Sequence, residues 1–148
     1  MANKLYDKGR GKFATGDLHW KVAAGDTFKA FLVDLASYTP DFAVDEFAAD
    51  IPQAARFGSG GGSVIGDAVV LVTGDPSAAG VCDADDIVFL LVPAGNPLEA
   101  VAIFKSTGDL ATSPLVAYID YATGLPVTPN GANITVQWDS GANKIFKL

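Results

Sequence analysis

The stretch GVCDADDIVFLLVPAGNPLEAVAIF, residues 80–104, shows a pattern of short apolar runs bounded by turn-forming residues. Asp83, Asp85 and Asp86 stand directly before an apolar run that ends at Pro93, and a second apolar run follows the segment AGNP. Short runs of β-branched and aromatic residues bounded by Gly, Asp, Asn or Pro are typical of β-strands. The stretch therefore predicts a strand over 87–92 and a second one ending near 104, separated by turns.

The same pattern recurs along most of the chain. Residues 28–33 are apolar at nearly every position, which predicts a strand covered on both faces. The segment WDSGANKIF predicts a hairpin that returns the last strand to the sheet and leaves residues 144–148 as an open edge. Six to eight such strands predict a mainly β single domain, either a β-sandwich or a small β-barrel, with one or two short helices.

Two segments break the β pattern. In YTPDFAVDEFAADIP, Thr39 is a helix-capping residue, Pro40 suits the first helical position and Pro52 suits a stop, so a short helix is predicted between them. The segment FGSGGGS, residues 57–63, predicts a flexible loop, because no Lys-Ser/Thr pair and no helix follow it as a phosphate-binding loop would need.

Charge is distributed unevenly along the 148 residues, whose net charge is −7. Residues 1–33 carry six basic and three acidic side chains, whereas residues 34–104 carry eleven acidic side chains and only Arg56 as a base. Nucleic-acid binding depends on Lys and Arg that neutralise phosphates, so the acidic composition argues against it. Residues 1–20 are predicted to form a basic N-terminal arm ahead of a β-rich body over 21–148.

The sequence predicts neither a membrane partner nor a secretory leader. No apolar run reaches the roughly 18–20 residues that a membrane-spanning helix needs. The basic start of the chain is not followed by the apolar stretch of a signal peptide.

Candidate catalytic and metal-binding residues are few. The aspartates at 83–86 lack the downstream glutamate of an EF-hand calcium loop, which favours a turn whose carboxylates accept backbone N–H groups. One histidine, His19, and one cysteine, Cys82, cannot supply the usual ligands of zinc, and no serine has a nucleophile-elbow pattern. We expect Cys82 in the core and His19 packed at a sheet edge. The sequence thus predicts no enzyme activity and no cofactor.

Aromatic side chains leave one binding alternative open. Trp20, Trp138, Tyr118 and Tyr121 would suit a sugar-stacking platform of a carbohydrate-binding module, or they pack the core and its rims. Core packing is the more common use of such residues.

Several stretches resemble a family of head-decoration, or capsid-stabilising, structural proteins of tailed bacteriophages. The resemblance is carried by LYDKGRGKF and GDLHW (5–20), LVDLASYTPDF (32–42), DADDIVF (83–89), EAVAIFKSTGD (99–109) and above all YIDYATGLPVTPNGANITVQWDSGANKIFKL (118–148). It implies a structural protein of the virion on the outer capsid surface, bound to the major capsid protein. By analogy with such decorators it also implies a small oligomer, most often a trimer.

A protein of this kind needs an adhesive surface and no active site. The basic, glycine-containing start of the chain is predicted to bind acidic capsid surface, with apolar anchors among the charges. The predicted partner-binding residues are Lys4, Leu5, Tyr6, Lys8, Arg10, Lys12 and Phe13. The alternatives are a tail or baseplate component and the carbohydrate-binding module for host attachment.

Overall fold

A computed structural model describes residues 3–21, 25–59 and 68–148 of the chain. Its architecture is mainly β, as the sequence predicts, with antiparallel sheets and a single α-helix in the described residues. The helix α1 spans Asp7–Thr15. The strands are β1 Lys4–Leu5, β2 Phe28–Val33, β3 Arg56–Phe57, β4 Val69–Val70, β5 Val81–Cys82, β6 Ile87–Phe89, β7 Ala100–Lys105, β8 Leu115–Ile119, β9 Ile134–Val136 and β10 Phe146–Lys147.

The centre of the molecule is a six-stranded sheet with the order β1-β8-β7-β2-β3, in which β4 also pairs with β2. The long strands β2, β7 and β8 are buried almost throughout, because both faces of this sheet are covered. The prediction of a strand over 28–33 covered on both faces is therefore confirmed.

A first core lies between the central sheet and two small sheets, β5 with β10 and β6 with β9. Phe28, Ala30 and Leu32 of β2 face this core together with Ile87 and Phe89 of β6. The described strands form open layers and no closed barrel. The predicted C-terminal hairpin is wrong, because β10 pairs with β5 while β9 pairs with β6.

A second core lies on the opposite face, where residues 34–55 cover Phe31, Phe104 and Tyr118. The helix predicted between Thr39 and Pro52 is wrong: this segment consists of turns and one short 3-10 helix, Ala48–Asp50, and a second 3-10 helix, Gln53–Ala55, follows Pro52. Aspartate side chains replace helical hydrogen bonds here. Asp45 accepts from the backbone N–H of Asp41 at 2.9 Å, and Asp50 accepts from those of Glu46 and Phe47 at 2.8 Å.

The N-terminal segment belongs to the same packed structure. Strand β1 pairs with β8 at the edge of the central sheet, and α1 packs directly on β8. The helix approaches closely because Gly9 has no side chain: a Cβ atom there would lie 2.2 Å from the carbonyl oxygen of Leu115. It ends at Gly16, which adopts the left-handed conformation with φ of 79°.

The predicted glycine-rich loop, residues 57–63, lies largely outside the described residues. Phe57 ends β3, and Gly58 and Ser59 follow it. Residues 60–63 fall in the undescribed range.

Candidate partner-binding site

The predicted apolar anchors Leu5 and Tyr6 are core residues. Leu5 is 7% exposed and Tyr6 is fully buried. The Tyr6 hydroxyl lies 3.1 Å from that of Tyr38, so the side chain is hydrogen-bonded inside the domain. This burial does not fit an anchoring role for either side chain, since neither side chain can insert into a partner without leaving the core.

Two further predicted residues are engaged within the domain. The Lys12 ammonium lies 3.1 Å from the Glu46 carboxylate, and the Phe13 ring packs against Phe146 with centroids 5.9 Å apart. Both side chains are half-buried. Their contacts hold α1 to the domain, which leaves them little freedom to bind a partner.

The remaining predicted residues, Lys4, Lys8 and Arg10, are exposed, and we refer to these three positions together as the basic surface. The Lys4 ammonium stands 4.4 Å from the centre of the Phe42 ring, an attractive cation–π contact that keeps the lysine at this position. The structure thus brings three of the seven predicted residues to the surface on neighbouring elements, β1 and α1.

A groove of about 840 Å³ borders the basic surface and was not predicted from the sequence. One wall is formed by residues 3–5 with Arg10, and the other by residues 143–148. Ile119, Tyr121 and Asp139 complete the lining. The sequence hinted at this site only through its two C-terminal lysines, Lys144 and Lys147, because it did not reveal that the two ends of the chain meet.

The groove has a basic rim. Four basic side chains line it, namely Lys4, Arg10, Lys144 and Lys147, against the single carboxylate side chain of Asp139. Lys144 also lies 3.6 Å from the Asp83 carboxylate, so part of its charge is balanced within the domain. The excess positive charge contrasts with the net charge of −7 for the chain.

Asn3 fixes the end of β8 at the groove. Its side-chain oxygen accepts from the backbone N–H groups of Asp120 at 3.1 Å and Tyr121 at 2.9 Å, and its amide donates to the Tyr121 carbonyl at 3.1 Å. The Tyr121 side chain is nevertheless 79% exposed. Backbone anchoring thus presents an exposed aromatic ring beside the basic rim.

Two carboxylates of the acidic stretch 83–86 accept backbone N–H groups, as predicted, but the backbone there is not a turn, because Ala84 forms an antiparallel bridge with Thr73. Asp83 accepts from the backbone N–H of Ala84 at 3.0 Å, and Asp86 accepts from that of Trp138 at 3.0 Å. Two indole groups add to it, because Trp20 donates to the Asp83 carbonyl and Trp138 to the Asp85 carbonyl, each at 2.9 Å. Across residues 3–21, 25–59 and 68–148, no three His, Cys, Asp or Glu side chains converge as metal ligands.

The four-residue aromatic platform is not formed. Trp20, Trp138 and Tyr118 are at most 8% exposed, which leaves only Tyr121 at the surface. The core-packing interpretation therefore holds for three of the four residues.

Cys82 and His19 lie in different environments. Cys82 is fully buried, as predicted, and burial raises the pKa of its thiol to about 11, so the thiol stays protonated at neutral pH. His19 is exposed rather than packed, with Nδ1 3.7 Å from the Asp26 carboxylate. The protonated thiol makes Cys82 a poor nucleophile.

No known protein-family model matches the chain, and no curated protein is significantly similar to it in sequence. Within the described part of the chain, no helix has the length and apolar character required to cross a bilayer.

Proposed function

We propose that this protein is a non-enzymatic virion component that decorates and stabilises the outside of a bacteriophage capsid by binding the major capsid protein. The observation that carries the proposal is the basic surface of Lys4, Lys8 and Arg10 on an otherwise acidic chain. Charge complementarity of this kind steers a protein to an acidic partner and fixes its orientation there. The sequence resemblance to head-decoration proteins supports the same role.

Stabilisation of the shell then follows from mass action. A protein that binds the assembled shell but not its dissociated subunits shifts the disassembly equilibrium toward the intact particle. Many copies on one shell multiply a small free energy per contact. The adhesive surface is sufficient for this role, and no substrate is transformed.

The proposal includes a small oligomer on the shell, with a trimer favoured. Exposed apolar side chains lie along β4 and β6 and just beyond each strand, and such surfaces mark protein contacts. Val72 is 62% exposed and Leu91 is 66% exposed, and the Val72 carbonyl accepts from the Asp85 N–H, which holds the end of β4 beside the start of β6. We assign contacts between copies to this surface, which leaves the basic surface for the capsid.

The second candidate is a tail or baseplate component. The same basic surface would serve adhesion to another acidic virion protein equally well. Image reconstruction of the particle separates the two, since it reports where the protein lies and in how many copies.

Shell lability tests the proposal. Particles with and without the protein are heated, or treated with a chelator, and release of the packaged DNA is followed with a dye. We expect decorated particles to resist higher temperature, and the double variant Lys8→Glu, Arg10→Glu to lose both binding and protection. Lys21→Glu, a charge reversal at an exposed lysine outside the basic surface, is the matched control and should still protect.

Two results would contradict the proposed role. Particles that lack the protein would be as resistant as decorated ones, or purified virions would not contain it.

A further inference from the structure

The two walls of the groove are open β-edges. In an antiparallel ladder, successive residues point their N–H and C=O groups alternately toward and away from the partner strand. Tyr6 donates to the Val116 carbonyl at 3.0 Å, so its neighbour Leu5 points its backbone groups away from β8. Leu148 likewise donates to the Gly80 carbonyl at 3.0 Å, so Lys147 points its backbone groups away from β5.

The C-terminal edge is the better template for an added strand. Among the described strands β10 pairs only with β5, and Lys147 is exposed. Its N–H and C=O are therefore available to an extended chain that enters the groove. An unpaired edge of this type commonly recruits a strand from another protein.

The rim selects the charge of the added strand. Lys4, Arg10 and Lys147 surround the groove, and Asp139 is the one acidic side chain in its lining. Side chains of an extended segment alternate between the two faces. Acidic side chains on one face would meet the lysines and arginine, while apolar ones on the other face would meet exposed Tyr121 and Leu148.

We propose that the groove binds an extended, acidic segment of a partner protein by strand addition to β10. The inference deepens the proposed function by giving the chemistry of the bound segment, and it rests on that function for a partner protein. Electrostatic attraction brings the segment to the groove, and backbone hydrogen bonds to Lys147 hold it there.

Peptide binding to the purified protein tests the inference without virus particles. The probe is a seven-residue peptide that alternates Glu and Val, and binding is followed by NMR shifts of the Lys147, Leu5 and Tyr121 amides. We expect saturable shifts at these residues and a binding affinity that falls as the salt concentration is raised. A Lys/Val peptide of the same length should not bind, and backbone N-methylation of the Glu/Val peptide should weaken binding about tenfold.

A pair of variants at one position separates backbone from side-chain effects. Lys147→Ala removes the charge and keeps the N–H, whereas Lys147→Pro removes both. The proline variant should bind at least about tenfold more weakly than the alanine variant. Because the Lys147 N–H points away from β5, both variants should keep their folded NMR spectrum, and Arg10→Glu should weaken binding without touching this edge.

Several outcomes would overturn the inference. Equal affinity for the N-methylated peptide would exclude strand addition, and equal binding of a single-stranded oligonucleotide would make the groove a general polyanion site. Self-association that Lys147→Pro abolishes would assign the groove to a second copy of this chain. Peptide binding without shell protection would contradict the proposed function alone, and protection without peptide binding would contradict this inference alone.

Discussion

At the scale of single residues, three buried tyrosines lie together in the second core. The Tyr6 and Tyr38 hydroxyls lie 3.1 Å apart, and the Tyr38 hydroxyl also donates to the Asp45 carboxylate. Tyr118 lies in the same core. Burial raises the pKa of all three phenols well above the ordinary value, because the charged phenolate would lose its hydration.

The tyrosines predict a loss of stability at alkaline pH. In the unfolded chain they lose their protons near pH 10, while in the folded protein they keep them. The unfolded state then binds fewer protons, so the contribution of the tyrosines to the free energy of unfolding is constant well below pH 10 and falls as the pH rises through 10. The decrease approaches about 1.4 kcal/mol per pH unit for each tyrosine. Urea unfolding at pH 8.5 and pH 10.5 measures it.

Tyr38→Phe is the control for this effect. It removes one titrating group, so the slope of stability against pH should become shallower, although the lost hydrogen bonds lower stability at every pH. In a Tyr121→Phe background, which removes the exposed tyrosine, ionisation of the three buried tyrosines followed by absorbance at 295 nm should coincide with unfolding. If three tyrosines ionised near pH 10 while near-UV circular dichroism stayed native, the explanation from burial would be wrong.

Some hydrogen bonds of single residues could be predicted from the local sequence, and others could not. Asp83 and Asp86 were recognisable as acceptors of backbone N–H groups, because an aspartate side chain commonly makes such bonds outside helices and long strands. The indole hydrogen bonds that hold this acidic stretch were not recognisable, because Trp20 and Asp83 are 63 positions apart and Trp138 and Asp85 are 53 apart. No pattern in the sequence pairs residues at such distances.

At the scale of elements, the contact of α1 with β8 depends on one of its two glycines. Gly9→Ala should destabilise the protein by about 1–3 kcal/mol, because its Cβ would lie 2.2 Å from the backbone oxygen of Leu115. Gly11→Ala is the matched control in the same helix, since its Cβ would have no neighbour within 4 Å. It should stabilise the protein by about 0.5–1 kcal/mol through helix propensity.

Chemical denaturation of both variants checks this contrast. The midpoints should move in opposite directions relative to the wild type, with similar denaturant slopes. Equal effects of the two substitutions would mean that α1 is not packed on β8 in solution.

The sequence patterns predicted some of the helices and strands and not others. Strands β2, β7 and β8 were visible as apolar runs, because a strand buried on both faces needs such a run. The helix expected between Thr39 and Pro52 does not form, because its acidic side chains accept hydrogen bonds from nearby backbone N–H groups. The sequence rules for helix starts do not take such bonds into account. The partner of β10 was misassigned, because nothing in a short strand specifies which neighbour it pairs with.

At the scale of the whole molecule, the two ends of the chain build the candidate site together. Strand β1 and helix α1 supply the basic surface, and residues 143–148 supply the facing wall of the groove. The sequence predicted the basic character of the first segment from composition alone. It predicted too much freedom for its apolar residues, since Leu5 and Tyr6 complete the two cores.

Deletion of the first 13 residues tests whether the N-terminal segment can be removed from the domain. Their deletion should strongly destabilise the protein, because it withdraws Leu5 and Tyr6 from the cores and exposes the edge of β8. Burial of each side chain is worth about 1.5–3 kcal/mol, which is a large share of the stability of a typical domain. Differential scanning calorimetry of the truncated protein measures the loss as a lower Tm or a missing transition.

Charge reversal provides the comparison for this truncation. Lys8→Glu with Arg10→Glu alters the same segment at exposed positions only, so the free energy of unfolding should change by about 0.5 kcal/mol or less per substitution. A truncated protein with a Tm close to that of the wild type would show that the segment is a separable arm after all. In that case deletion would test capsid attachment directly; otherwise only the charge-reversal variant can distinguish lost adhesion from lost folding.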